Sequence, residues 1–468
     1  MTATLATRLS RFAGELTYDA IPEATREAAM WHVVDSLGVC IAGATPKEAS
    51  GEVARRLVEK WRMPSGATVF GLGARCRPEA SALLNGALGQ ALEMDDKHGS
   101  SLARPGSTVI PAALAVAEER DLTMRDVVTA IAVGYEIMIR LGFVAGERFL
   151  ERGYHTSSLL GAFGAAATVG RLLGCPAEQI GDALGIAGTM AAGIQEATRT
   201  GSTSKILHGG WGAHVGIVAV DLAVCGITGP STVFEGHYGF FRTHLAPVKG
   251  ELDWKRPEDG LGTTWHLQET AFKPYPCCQL LHAFIEAARQ LSAEMRRDGR
   301  DLKEITRIAC RLAEPGLTLV TEPKDRKSAP EHPHEARFSL PFVVATALLC
   351  GDVGLESFAP DRLRDLDIRR LAALVDAAED PESDYPLHCP AVMEIHAGGT
   401  VFHRRIPFHP GCPEAPLSRD GVLDKFARNT RWLLGGAARG IGEALAATGA
   451  GASVRDVVRR LERSQAGG

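Results

Sequence analysis

The helical pattern of the first half of the chain is shown by the stretch Pro22-Glu-Ala-Thr-Arg-Glu-Ala-Ala-Met-Trp-His-Val-Val-Asp35. Its apolar residues recur at intervals of three and four after a proline near the start, which is typical of an amphipathic helix. Similar spacing predicts further helices over Glu79 to Leu92, Pro111 to Arg120, Met124 to Leu141, Ser157 to Leu173, Ala177 to Ala192 and Gly212 to Cys225. The sequence therefore predicts a helical domain up to about residue 227.

The pattern changes near residue 266. Three segments then alternate polar and apolar residues with the period of two that strands show, at 305–312, 391–396 and 400–406. Helical patterns at 282–295 and 340–350 accompany them, which predicts a smaller α+β domain. Helices return at 419–429 and 454–463, and we expect these to rejoin the first domain.

Composition excludes several classes of protein. The 468 residues are 45% hydrophobic and 23% charged, with a net charge of −5, which is the profile of a folded globular protein. The pI of about 6.3 and the lack of dense basic stretches argue against a nucleic-acid binder or a polybasic membrane patch. We therefore expect a protein that acts on a small molecule. The 51 glycines and many alanines predict closely packed helices.

The sequence offers no obvious targeting or crosslinking signal. The N-terminus lacks a charged leader followed by an apolar run, and the apolar stretches 159–168 and 342–350 fall short of the ~20 residues of a membrane span. We therefore expect a cytoplasmic protein. Ten cysteines without a CxxC pair predict reduced, mostly buried thiols rather than disulfides or a zinc site.

The glycine-rich segment Gly436-Ala-Ala-Arg-Gly440-Ile-Gly442 resembles a dinucleotide-binding fingerprint. Such a site needs a preceding strand, a following helix and further βαβ units. Only 26 residues follow Gly442, so a glycine-rich helix or loop that serves packing is the better interpretation.

A cluster of charged residues follows the helix predicted over 79–92. Asp95, Asp96 and His98 lie close to Glu93 and precede the segment Arg104-Pro-Gly-Ser-Thr108. Metal binding, acid–base chemistry and a solvated acidic turn each explain this pattern. Apolar residues on both sides favour a loop held between buried helices.

Two more segments place basic residues at predicted helix starts. His155 precedes a Gly/Ala-rich helix, whose N-terminus could hold a substrate carboxylate; helix capping by Thr156 or Ser157 is the alternative. Lys205 and His208 lie in a Gly/Ser-rich segment that opens another apolar helix. A lysine there could neutralise a carboxylate or act as a base, or be simply solvated.

A proline-bracketed segment, Lys273-Pro-Tyr275-Pro-Cys277-Cys278, lies near the predicted domain junction. The prolines bias Lys273 and Tyr275 towards extended geometry. Positioning of a side chain and a rigid linker both fit. The adjacent thiols suggest a nucleophile, but buried cysteines are the better interpretation.

Together these segments resemble the MmgE/PrpD family, which includes 2-methylcitrate dehydratase, cis-aconitate decarboxylase and iminodisuccinate epimerase. The resemblance covers nearly the whole chain and rests on the order and spacing of many short motifs. They include Val34-Asp35-Ser-Leu-Gly38, Asn85-Gly86-Ala, Asp95-Asp96, Pro105-Gly106-Ser107, Gly134-Tyr-Glu136, His155, Lys205, Phe234-Glu-Gly236, Lys273-Pro-Tyr-Pro276, Phe338-Ser-Leu-Pro341 and Lys425-Phe426.

The resemblance implies a mainly α fold: a discontinuous helical domain over residues 1–265 and 405–468, an inserted α+β lid over 266–404, a cleft between them and usually a homodimer. It also implies removal of a proton α to a carboxylate of a small di- or tricarboxylic acid, without a metal or organic cofactor. Carried onto this chain, the catalytic residues are Asp95, His155, Lys205 and Lys273. The expected substrate-binding residues are Glu93, Asp96, Lys97, His98, Arg104, His208, Tyr275 and Cys278.

The chain also departs from the family pattern. Glu93, Lys97 and Arg104 stand where cis-aconitate decarboxylase has an aspartate, a threonine and a histidine, and the histidine after the lid lysine is replaced in the Cys277–Cys278 region. These changes argue against decarboxylation of cis-aconitate. The planar guanidinium of Arg104 suits a carboxylate, so we expect it to anchor substrate. The leading hypothesis is a dehydratase-type lyase; an epimerase or isomerase using the same proton abstraction is the alternative, and a non-catalytic carboxylate-binding protein is the third.

Overall fold

The computed structural model describes residues 3–200, 202–247 and 250–462. Its chain divides into two compact units. The helical unit comprises the residues up to Ala91, Asp95–Thr270 and those from Ser418 onward, and the second unit comprises Leu92–Met94 and Ala271–Leu417.

The first pass through the helical unit contains twelve helices in the described residues. They are α1 (Leu5–Glu15), α2 (Glu23–Gly43), α3 (Ala49–Trp61), α4 (Pro78–Gln90), α5 (Val109–Arg120), α6 (Met124–Ala145), α7 (Arg148–Glu151), α8 (Thr156–Leu172), α9 (Ala177–Met190), α10 (Glu196–Thr200), α11 (Leu207–Val224) and α12 (Phe240–Leu245). A short antiparallel hairpin, β1 (Ala67–Val69) and β2 (Ala74–Cys76), lies between α3 and α4. Two further strands of two residues are β3 (Lys97–His98) and β4 (Thr270–Ala271). The sequence pattern missed α1, α3, the short helices α7, α10 and α12, and this hairpin.

The second unit combines a four-stranded sheet with six helices. Its strands are β5 (Ile305–Leu312), β6 (Val375–Glu379), β7 (Ala391–Ala397) and β8 (Thr400–Ile406), in the order β6-β5-β7-β8. β6 runs parallel to β5, and the other pairs are antiparallel. The helices are α13 (His282–Arg297), α14 (Glu314–Val320), α15 (Lys324–Ser328), α16 (Pro333–Ala336), α17 (Leu340–Cys350) and α18 (Leu366–Ala372). α13 packs on β7, β8 and α17.

The chain then returns to the helical unit through α19 (Arg419–Leu434), α20 (Ala438–Ala446) and α21 (Val454–Glu462). α19 packs against α2, and α21 against α5. The units divide after Thr270 and Leu417, later than the sequence boundaries at 265 and 404. The reason is local hydrogen bonding: Glu136 holds Leu267 N–H at 2.9 Å in the helical unit, and Phe272 N–H donates to Gly411 O at 3.1 Å in the second.

Glycine allows helices of the helical unit to approach closely, as the composition predicted. A Cβ on Gly86 in α4 would lie 2.6 Å from the Cα of Gly210 in α11. The prediction is wrong for much of the C-terminal glycine stretch, because a Cβ on Gly436 or Gly440 would meet nothing within 4 Å. Of that stretch, Gly442 does pack, since its Cβ would lie 2.8 Å from Phe426.

Two helical segments of the described chain, 124–145 and 204–224, are long and apolar enough by composition to cross a membrane. The apolar window of the first is wholly buried and that of the second is 61% buried, as core helices of a globular unit are. The first of these segments was predicted as a helix over Met124 to Leu141, and its charged residues Glu136 and Arg140 form an ion pair at 2.9 Å inside the core.

Candidate active site

The charged residues after α4 are buried in the helical unit. Asp95, Asp96, Lys97 and His98 are 4%, 3%, 6% and 1% exposed, respectively. A solvated acidic turn is therefore the wrong interpretation of this segment, which we call the acidic loop (residues 95–107). Because burying charge is costly unless it is paired, this loop is built for specific contacts.

Two residues with strained backbone accompany the loop: Glu93 lies just before it and Leu102 lies within it. Glu93 and Leu102 adopt φ values of 56° and 58°, and they are two of the three non-glycine residues with positive φ in the described part of the chain. Side chains with a Cβ disfavour this region. Such strain concentrates at functional sites, where the surrounding structure sustains it.

Asp96 anchors the loop. Its carboxylate accepts hydrogen bonds from Gly106 N–H at 2.7 Å and from the Tyr135 hydroxyl at 2.6 Å, and His32 Nδ1 lies 2.9 Å from it. Burial alone would raise the pKa of Asp96, but the contacts with His32, Tyr135 and Gly106 outweigh burial, and the pKa lies below its ordinary value. Asp96 is thus an ionised positioning residue, held by the protein itself.

A second buried ion pair lies beneath the loop. Lys425 Nζ is 2.7 Å from Asp35 Oδ1, and both residues are less than 5% exposed. Burial raises the pKa of Asp35 although Lys425 opposes the shift. An enclosed cavity of about 10 Å³, room for roughly one water molecule, is lined by His32, Asp35, Ser36, Val39, Gly89, Asp95, Asp96, Gly106 and Ser107.

Gln90 connects Asp95 to the starts of two helices. Its Nε2 donates to Asp95 Oδ2 at 3.2 Å and to Ser157 Oγ at 3.0 Å, and its Oε1 accepts from Gly209 N–H at 2.9 Å. The first turns of α8 and α11 are thereby fixed beside the Asp95 carboxylate. Sequence reasoning missed Gln90, because the only indication was an amide side chain at the end of α4.

His155 and Arg104 contact each other directly. Arg104 Nη1 donates to His155 Nε2. Since a guanidinium has no acceptor, Nε2 is the acceptor in this contact and presents its lone pair to Arg104. The ring of His208 lies 5.1 Å from that of His155, centroid to centroid. Lys205, 3% exposed, lies in the 3₁₀ turn Ser204–Ile206 just before α11.

Two predicted substrate-binding residues, Lys97 and His98, lie near groups other than Arg104 and His155. Burial and the charge of Glu151 raise the pKa of Glu147, and the nearby Lys97 opposes this rise. His98 Nδ1 is 2.8 Å from Ser101 Oγ, and its Nε2 is 3.2 Å from Glu269 Oε2. The helical unit therefore groups Arg104, His155 and His208. Asp95 is joined through Gln90 to the first turns of α8 and α11, and His98 has a different set of neighbours.

The remaining predicted residues lie in the second unit. Lys273, 1% exposed, donates from Nζ to the Glu93 carbonyl at 3.3 Å. Burial raises the pKa of the Cys277 thiol far above its ordinary value, against the influence of Lys273. Cys277 is therefore a protonated thiol, and the nucleophile interpretation has no support. The N–H of Cys278 donates to Arg337 O at 2.9 Å.

Tyr275 is buried, and its hydroxyl accepts from Arg289 Nη1 at 3.4 Å. Sequence reasoning also missed two buried cations of this unit, Lys327 and Arg337, which are 7% and 2% exposed. Lys327 Nζ donates to Phe338 O at 2.8 Å, and burial lowers its pKa. Neither residue lies in a pattern that distinguishes it from a surface cation.

Comparison with known proteins gives matches along most of the chain. The model of the MmgE/PrpD N-terminal domain matches residues 7–252 and that of the MmgE/PrpD C-terminal domain matches residues 275–447. The cis-aconitate decarboxylase-like protein oryM of Aspergillus oryzae is 28% identical over 90% of this chain and 89% of its own length. A cis-aconitate decarboxylase of Aspergillus terreus is 28% identical over 89% and 87%, respectively. The 2-methylcitrate dehydratase of Escherichia coli K12 is 24% identical over 88% of each chain.

Proposed function

The chain belongs to the MmgE/PrpD family, and we propose that it is a lyase that removes a proton α to a carboxylate of a small di- or tricarboxylic acid and expels a leaving group from the neighbouring carbon. The reaction needs a base for the proton and cations for the carboxylate, whose negative charge increases as the C–H bond breaks.

The contact between Arg104 and His155 carries the proposal. It holds the Nε2 lone pair of His155 against a cation shaped to bind a carboxylate. When a substrate carboxylate binds the guanidinium, it competes with Nε2 for the same N–H donors. Binding therefore releases the lone pair beside the substrate it is to deprotonate.

The chemical step then follows from these two groups. His155 Nε2 takes the α-proton, and the electron pair of the C–H bond moves onto the carboxylate held by Arg104. That pair then forms the C=C bond as the β-substituent departs with the electron pair of its bond to carbon. In a dehydratase the His155 imidazolium gives its proton to the departing hydroxyl, which leaves as water, and the imidazole returns to its neutral form. Roles for Asp95, Lys205 and Lys273 stay predictions.

An epimerase acting on a similar acid is the alternative. It would return a proton to the opposite face of the α-carbon, which requires a donor across the substrate. His155 and His208 lie side by side, with ring planes 39° apart, so these two groups do not form a pair on opposite faces of a substrate.

A screen of di- and tricarboxylic acids in D₂O tests the proposal. Elimination gives new ultraviolet absorbance from the alkene, whereas epimerisation gives deuterium incorporation without it. A thermal shift on the same acids detects binding, because a ligand of the native state raises its stability. Binding without absorbance or deuterium would favour the third hypothesis, a non-catalytic carboxylate-binding protein, and would contradict the proposed lyase.

A further inference from the structure

We propose that His98, His266 and Glu269 of the helical unit bind a zinc ion. The three side chains meet away from the contacts of Arg104 with His155. His98 Nε2 lies 3.2 Å and His266 Nδ1 lies 3.1 Å from the same oxygen, Glu269 Oε2. All three ligand atoms lie within 4.8 Å of one another.

These separations suit tetrahedral coordination. Bonds of about 2.0–2.2 Å from zinc to nitrogen and oxygen place neighbouring ligand atoms about 3.3 Å apart. Two of the three edges already have this length, and the third, between His98 Nε2 and His266 Nδ1, is no longer than 4.8 Å. Two imidazoles and one carboxylate form a recognised zinc donor set, which leaves one position for water.

The surroundings hold the two imidazoles in place. Ser101 holds the His98 ring, since its N–H donates to His98 Nδ1 at 3.3 Å and its Oγ lies 2.8 Å from the same atom. The Phe143 ring packs edge-on against His266 at 4.9 Å and against His98 at 5.6 Å.

Two features determine the zinc affinity that we expect: access of the ion from solvent and the positive charge of a neighbouring arginine. Glu269 is half exposed, which gives the ion a path from solvent. The Arg256 guanidinium lies 4.0 Å from the centre of the Phe143 ring and opposes a second cation nearby. We therefore expect weaker binding than in a structural zinc site with thiolate ligands, and tighter binding in Arg256→Ala.

The ion would link two separate segments of the helical unit. His98 lies six residues before Arg104 in the acidic loop, while His266 and Glu269 occupy the 3₁₀ turn that ends at Glu269. A bound ion thus stabilises the loop that carries Arg104, without touching substrate. The inference does not depend on the proposed lyase reaction.

Zinc titration of the full chain against a chromogenic chelator tests the site. Cys225 and Cys350 are exposed thiols that could also take zinc, so the background is the double variant Cys225→Ser/Cys350→Ser. We expect one bound zinc per chain, weakened at least tenfold by His266→Ala and by the nearly isosteric Glu269→Gln. Circular dichroism checks that the variants are folded.

His388→Ala is the matched control. His388 also lies between carboxylates, Asp384 and Glu414, but its Nδ1 and Nε2 face one each, so these contacts do not converge on one ion. Zinc affinity should be unchanged in this variant. Absence of zinc binding in the background, or equal binding in His266→Ala, Glu269→Gln and His388→Ala, would overturn the proposal.

Discussion

The guanidinium of Arg104 donates to Nε2 of His155, a contact between the acidic loop and the N-cap of α8. In the proposed lyase, Arg104 holds the Nε2 lone pair of His155 until a substrate carboxylate takes its place on the planar guanidinium.

Replacing Arg104 should therefore weaken substrate binding. A hydrogen bond to a charged group contributes about 1.5–3 kcal/mol, so we expect kcat/KM of Arg104→Ala to fall roughly 10- to 100-fold. Arg104→Lys should recover part of this loss, because it keeps the charge but loses the planar fork. Steady-state kinetics on the acid found in the screen measures both, with the exposed Arg120→Ala as control. An unchanged KM and kcat in Arg104→Ala would remove the anchoring role.

Asp96 should make stability depend on acid pH. Its folded-state pKa is depressed, so ionisation favours folding; this contribution is complete above the unfolded value of about 3.9 and is lost as pH falls through the folded-state pKa. Asp96→Asn should destabilise the protein at pH 7, and the deficit should shrink below about pH 4. Urea unfolding at several pH values measures this. A deficit independent of pH would show that packing, not charge, explains the effect; the exposed Asp456→Asn serves as control.

The same carboxylate requires a glycine at position 106. A Cβ there would lie 2.8 Å from the carboxylate carbon and one oxygen of Asp96, so Gly106→Ala should destabilise the protein by about 1–3 kcal/mol. Gly440→Ala is the contrasting variant, since a Cβ at that position of α20 meets nothing within 4 Å. It should stabilise the helix by up to about 1 kcal/mol. Thermal melts of both variants compare them, and equal shifts would contradict the close approach.

The ion pair of Asp35 and Lys425 should show strong coupling. Removing one partner leaves a buried charge, which costs about 3–5 kcal/mol, so Lys425→Met alone should be severely destabilising. Asp35→Asn/Lys425→Met should recover much of that loss. A double-mutant cycle from denaturant unfolding gives the coupling free energy, and additive effects would show that the two groups act independently.

Local patterns predicted much of the fold. β5 and α17 have the bounds expected from the sequence, Ile305–Leu312 and Leu340–Cys350. An eight-residue run of period two specifies the strand, and Ser339 caps the helix by accepting from Phe342 N–H at 3.0 Å. The β1–β2 hairpin was missed because its strands have three residues each, too few to show a period.

The site was harder to predict, because contacts between distant segments decide it. The motifs identified His155, Lys205 and Arg104 as candidates, but the Arg104–His155 contact joins residues 51 positions apart. Residues that are neighbours in the acidic loop also have different partners, which their closeness in sequence does not indicate. Asp95 accepts a hydrogen bond from Gln90, whereas His98 Nε2 lies next to Glu269. Gln90 and Arg337 are distinguished from other polar residues only by their burial in the tertiary structure.

Deuterium incorporation at the α-carbon tests the central claim, that His155 removes the proton. Wild type, His155→Gln and His214→Gln are incubated in D₂O with the active acid and followed by NMR; His214, half-buried in α11 and 3.0 Å from Glu79 O, is the control histidine. Loss of a general base costs about 10²- to 10⁴-fold, so exchange and turnover should fall by at least 100-fold in His155→Gln and stay normal in His214→Gln. Exchange at the wild-type rate in folded His155→Gln would contradict the account.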